Sequence, residues 1–63
     1  MDKLRIIVVD DNFVVREGTR KMLEQNSDLE VIAEAESGNE AVSLTKKHKP
    51  DILLLDVGLP DIS

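Results

Sequence analysis

Two short runs of consecutive apolar residues, each ended by an aspartate, constrain this chain more than any other feature. Ile6-Ile7-Val8-Val9, preceded by Leu4-Arg5, stops at Asp10-Asp11, and Ile52-Leu53-Leu54-Leu55 stops at Asp56. The first, short and nearly all apolar from Leu4 to Val9, suits a strand buried on both faces, and such strands occur in parallel sheets covered by helices.

The segments between the two runs supply the helices. From Phe13 to Gln25, Val14, Val15, Gly18, Thr19, Met22 and Leu23 fall on one half of a helical wheel. Arg16, Glu17, Arg20, Lys21 and Glu24 fall on the other. The apolar half is expected to face the sheet, with Gly18 allowing close packing. Asp11 or Asn12 can cap the start, and Asn26 and Ser27 are suited to the end. Leu29–Ala35 reads as a second strand, less apolar than the first and so nearer an edge. Ser37-Gly38-Asn39-Glu40 is a capping box that opens a second helix. That helix places Lys46, Lys47 and Lys49 in its last turn and stops at Pro50. Asp51–Leu55 is the third strand.

The order β-α-β-α-β with right-handed crossovers predicts an α/β fold with a doubly wound, flavodoxin-like parallel sheet of strand order 2-1-3. In that order the first and third strands are neighbours. Ligands of open α/β sheets bind where the strand order reverses, at the strands' C-terminal ends. Asp10, Asp11 and Asp56 fall at that point. Adjacent strands are about 4.8 Å apart, so the three carboxylates are expected to converge. Nothing nearby in sequence neutralises them, and oxygen-only ligands favour Mg²⁺, Mn²⁺ or Ca²⁺ over zinc. A carboxylate bridged by such a metal can act as a nucleophile toward phosphorus.

Composition narrows the function classes. The net charge is −5 and Phe13 is the sole aromatic residue, so the chain offers neither a basic face nor a stacking platform for nucleic acid. No apolar run approaches the length of a membrane span, and there is no cysteine. A soluble cytoplasmic protein is the expectation. For 63 residues, apolar burial worth roughly 90 kcal/mol nearly cancels an ordering cost of about 95 kcal/mol. A marginal chain of this kind is expected to draw stability from a partner surface or from further chain.

The run Ile6-Ile7-Val8-Val9-Asp10-Asp11-Asn12 resembles the first strand of two-component receiver domains. The stretch Asp51-Ile52-Leu53-Leu54-Leu55-Asp56-Val57-Gly58-Leu59-Pro60 resembles their phosphorylation strand and loop. Val31–Ala35 with Gly38-Asn39-Glu40-Ala41 is similar to the second strand and helix, with the flavour of NarL/LuxR-type regulators. The resemblance implies that Asp56 accepts a phosphoryl group from a sensor histidine kinase. It implies Mg²⁺, or Mn²⁺, held by Asp11, Asp56 and the backbone carbonyl of Gly58, with Asp10 reaching the metal through water and Asn12 beside the site. It implies a phosphoacceptor rather than a turnover enzyme, and DNA contact through a separate C-terminal domain rather than through this segment.

Receiver domains have five strands and five helices, so residues 1–63 are expected to form the first part of one. The family's Ser/Thr on the fourth strand, its Lys on the fifth and its switch aromatic would all follow Ser63. The outer edge of the third strand is then unpaired and apolar, which predicts self-association about a two-fold axis. A half-domain that only assembles, without signalling, is the alternative function. Two other phosphate chemistries fit less well. The first turn lacks a glycine-rich dinucleotide loop. Neither strand carries a second aspartate two positions after the first, as a haloacid-dehalogenase-like phosphohydrolase would need. His48, the one histidine, reads as part of a basic helix end, and Phe13 as a polar-face residue beside the acids.

Overall fold

A computed structural model describes residues 2–56 and Leu59. Strand β1 (Leu4–Val9) is followed by helix α1 (Phe13–Glu24), strand β2 (Leu29–Ala35), helix α2 (Gly38–His48) and strand β3 (Ile52–Leu55). The three strands form a parallel sheet in the order β2-β1-β3, as the alternation of patterns predicted. β1 is central because it is the run that tolerates burial on both faces. Ile6, Ile7, Val8 and Val9 are all at most 2% exposed.

Successive strand residues point to opposite faces, which gives each helix its side of the sheet. Ala41 and Leu44 of α2 pack with Ile7, Val9, Ala35 and Leu59. Helix α1 covers the other face, over Val8 and its register partner Glu34. A register shift in β2 makes this division possible. Ile6 pairs with Val31 but Ile7 pairs with Ala33, so Ile32 is an extra residue. Ile32 and Ala33 both pack against the α2-side core. The shift inverts the facing of everything that follows. Ala35 therefore enters the core, and Glu34 turns toward α1 instead of into apolar surroundings.

Local chemistry fixes the helix ends. Asn12 Oδ1 accepts from the Val15 N–H at 3.1 Å, capping α1. Ser37 Oγ accepts from the Glu40 N–H at 3.2 Å, and Glu40 Oε1 accepts from the Glu36 N–H at 3.1 Å. Helix α2 ends at Lys49, whose φ of 48° is left-handed, before Pro50. The Lys49 carbonyl accepts from Arg5 Nη1 at 3.1 Å, tying the base of β1 to the helix end.

The orientation of α1 differs from the amphipathic expectation. Thr19 and Leu23 are half-buried, but Val14, Val15 and Met22 are exposed at 76%, 50% and 62%. Gly18 is exposed as well, and a Cβ there would meet nothing within 4 Å. Arg16, assigned to the solvent side, is 7% exposed. The cause is electrostatic. Glu34 lies on the α1 face of β2 and is bridged by Arg16 Nε at 3.0 Å and by Arg20 Nε at 3.4 Å. Meeting that carboxylate draws Arg16 and Arg20 toward β2, while Val15 and Thr19 line the cleft over β1 and β3 and Val14 and Met22 are left exposed.

Candidate metal centre

Asp10 and Asp56 leave the sheet side by side. Val9 is in register with Leu55, and the Asp56 N–H donates to the Val9 carbonyl at 3.0 Å. On the other side of β1 the Asp10 N–H donates to the Ala35 carbonyl, also at 3.0 Å. The backbone ladder thus continues one residue past the strands and delivers both aspartates at one level. Asp11 follows, just before the α1 cap and exposed to solvent. The positive end of a helix favours an anionic group at such a position.

One carboxylate oxygen from each of Asp10, Asp11 and Asp56 lies within 4.8 Å of the other two. This is the convergence expected from strand order alone. The cleft that contains them is lined by Asp10, Asp11, Asn12, Val15, Thr19 and Asp56 and is open to water. Ligand atoms on opposite sides of Mg²⁺ stand about 4.2 Å apart, twice a bond of ~2.1 Å. Small side-chain rotations would therefore bring the three oxygens into range of one divalent cation. Hard oxygen donors and an open side for water and phosphate oxygens suit Mg²⁺ or Mn²⁺. By donor type and spacing, the residues fit the ion.

The backbone N–H of Asn12 donates to Asp10 Oδ1 at 2.9 Å, which leaves Asp10 its second oxygen. Asn12 borders the cleft, with its own carboxamide oxygen directed to the α1 cap. Gly58, expected to present its carbonyl, lies outside the described residues. His48 is half-buried at the end of α2, remote in sequence and topology from the acids.

Arg16 is the residue the sequence pattern missed. Its Nη1 donates to the Asp10 carbonyl at 2.7 Å and its Nε to Glu34 Oε1 at 3.0 Å. Its Nη2 stands 3.9 Å from Glu36 Oε1, and its Cζ lies 5.5 Å from the centroid of Phe13. Phe13 itself is largely exposed, so its contact at the site is with the guanidinium face. The available signal was Glu34, an acid flanked by Ala33 and Ala35 in the second half of β2.

Comparison with known proteins gives a consistent picture. Residues 6–63 match the response regulator receiver domain family. The transcriptional regulatory protein DegU of Brevibacillus brevis is 36% identical over 62 residues, which are 98% of this chain and 26% of that protein. The signal receiver domain of the response regulator NarL from Mycobacterium tuberculosis superposes with a TM-score of 0.92 at 38% identity. That match covers 97% of this chain and 49% of the solved one. A LuxR-family two-component response regulator from Aurantimonas sp. SI85-9A1 gives a TM-score of 0.91 at 39% identity, over 98% of this chain and 44% of that one. The chain thus spans about half of the solved chains and about a quarter of the regulator.

Proposed function

Because the chain belongs to the response regulator receiver domain family, we propose that Asp56 is its phosphoacceptor and that Asp10 and Asp11 complete a Mg²⁺ site beside it. The observation that carries this reading is the convergence of the three carboxylates within 4.8 Å at the ends of adjacent parallel strands. In this reading Asp11 and Asp56 bind Mg²⁺, or Mn²⁺, directly, together with the Gly58 carbonyl, and Asp10 binds through water. The bound ion supplies positive charge that lets phosphoryl oxygens approach three acids.

The remaining steps belong to the chain itself. A carboxylate oxygen of Asp56 attacks the phosphorus of a phosphohistidine on a sensor histidine kinase. The P–N bond breaks, and the departing imidazole nitrogen keeps the bonding pair and takes a proton from water. The product is an acyl phosphate on Asp56. Asn12, capping α1 beside the cleft, borders the phosphoryl position. The kinship to DegU, named a transcriptional regulatory protein, supports a role in transcriptional control. DNA contact then falls to a separate C-terminal domain, with residues 1–63 as one part of a cytoplasmic receiver. The test is intact-mass spectrometry after incubation with acetyl phosphate. A phosphoryl adduct that needs Mg²⁺ and disappears in Asp56→Asn is expected. An adduct that persists in Asp56→Asn overturns the assignment.

A second reading rests on a different observation. Every residue of β3 is 37–42% exposed, against at most 2% for Ile6–Val9 of β1. Among the described residues, β3 pairs only with β1. These features support association of two copies through their third strands, and a chain that acts by assembling rather than by signalling.

A further inference from the structure

Arg16 is the only charged residue among the described residues that is buried. Its guanidinium reaches groups from three segments. These are the Asp10 carbonyl at the end of β1, Glu34 within β2 and Glu36 just beyond β2. The Asp10 carbonyl belongs to the peptide that joins Asp10 to Asp11, so its orientation sets the direction in which Asp11 leaves the sheet. Two further hydrogen bonds hold the same residue: Asp10 N–H to Ala35 O, and Asn12 N–H to Asp10 Oδ1. Of these contacts, only that from Arg16 grips the carbonyl itself. A planar fork is needed to hold Glu34 through Nε and the Asp10 carbonyl through Nη1 at once, and an ammonium cannot reproduce it.

We propose that Arg16 is a positioning residue for the acid cluster, fixing the Asp10–Asp11 peptide so that both carboxylates converge with Asp56. The proposal rests on the reading of that cluster as a Mg²⁺ site. Position and charge make opposite predictions here. A cation close to the site weakens Mg²⁺ binding by repulsion, so an Arg16 acting through charge alone would bind metal better once neutralised. An Arg16 acting through geometry would bind it worse, and keeping the charge as lysine would not restore it.

The experiment is a Mg²⁺ titration followed by amide ¹H–¹⁵N shifts for the 63-residue chain, for Arg16→Lys and for Arg16→Met. Positioning predicts that both variants bind Mg²⁺ about ten-fold or more weakly, the loss typical when a partner that orients a metal ligand is removed. Ile7 and Ala33 amides should stay in place, while the Asp11 amide moves even without metal. Arg16→Met binding more tightly than the parent overturns the proposal in favour of charge. Arg16→Lys binding within about two-fold of the parent, with the Asp11 amide unmoved, overturns it too. Loss of amide dispersion in both variants would make Arg16 a residue of the fold rather than of the site, which also overturns it. If the parent shows no Mg²⁺ response, the metal reading fails separately. The metal-free Asp11 amide then decides the positioning role.

Discussion

The N–H of Asp56 donates to the carbonyl of Val9 at 3.0 Å, so the sheet itself holds the end of β3 beside the acid pair that follows β1. The three carboxylates are brought together by backbone pairing, against their mutual repulsion. Two charges ~5 Å apart repel by about 3 kcal/mol at an effective dielectric near 20. Partial exposure screens this to roughly 1 kcal/mol. Asp56→Asn is therefore predicted to raise the metal-free thermal midpoint by about 4–8 °C and, on the proposed Mg²⁺ reading, to remove most of the stabilisation expected from adding the ion. Paired melts with EDTA and with Mg²⁺ check both halves. An unchanged metal-free midpoint would mean the acids do not strain the fold.

Glu34 balances the buried charge of Arg16, and its replacement should be felt far more than a surface change. Glu34→Gln keeps the shape and an acceptor oxygen for Arg16 Nε but removes the carboxylate charge, so the distant, exposed Glu36 is then the carboxylate left to balance the guanidinium. Breaking a buried pair costs about 3–5 kcal/mol, and the partial exposure of Glu34 lowers that to about 2–3 kcal/mol. Urea unfolding monitored by circular dichroism measures it. A loss below about 0.5 kcal/mol, the usual bound for surface changes, would mean that water supplies what Glu34 gives.

Element order, strand order and the acid cluster were all legible in the sequence, because each depends on local chemistry. The apolar run of β1 ended by acids reads as a buried strand and Ser37 with Glu40 as a helix start, whereas the matching run of β3 forms its strand with each residue still 37–42% exposed. The orientation of α1 was not legible. It depends on the extra residue at Ile32, which decides whether Glu34 faces α1 or the α2-side core. A register shift leaves no mark on hydrophobic periodicity, so the helical wheel alone puts Arg16 on its polar side and thus in solvent. Once the shift is known, the rest follows from the need of a buried guanidinium for acceptors.

Acid should weaken α1 in a definable window. The side-chain hydrogen bonds from Arg20, the shortest at 2.6 Å, hold the Glu17 carboxyl below its ordinary value of 4.5, outweighing the opposing effect of desolvation. The same hydrogen bonds push Arg20 upward. A carboxyl whose folded-state pKa is depressed stabilises the fold fully above its unfolded value, and loses that contribution as pH falls through the lowered one. The parent should therefore melt above Glu17→Gln at neutral pH, with the gap constant down to about pH 4.5 and closing below it. A gap that stays constant into strong acid would show that Glu17 acts through packing instead of charge.

The last prediction concerns the open side of the sheet. Leu54 and Leu55 line the cleft shared with α1, and Leu53 and Leu55 line a groove beside Ala41, Val42 and Thr45 of α2. Fully burying a leucine is worth about 1.5–3 kcal/mol, so covering side chains that are ~40% exposed yields about 1 kcal/mol each. Four residues in each of two copies give roughly 8 kcal/mol, set against an association cost of about 4–15 kcal/mol. Main-chain hydrogen bonds between two β3 edges add to the favourable side. The balance predicts weak self-association, seen by light scattering as an apparent mass that rises with concentration. Leu54→Lys places a charge on the edge strand and should abolish that rise. Asp56→Asn should leave it intact or strengthen it, since the acids repel when two strand ends approach. A compact monomer at the highest attainable concentration of the parent would rule out assembly through β3 and leave phosphoryl acceptance as the single function the chain supports.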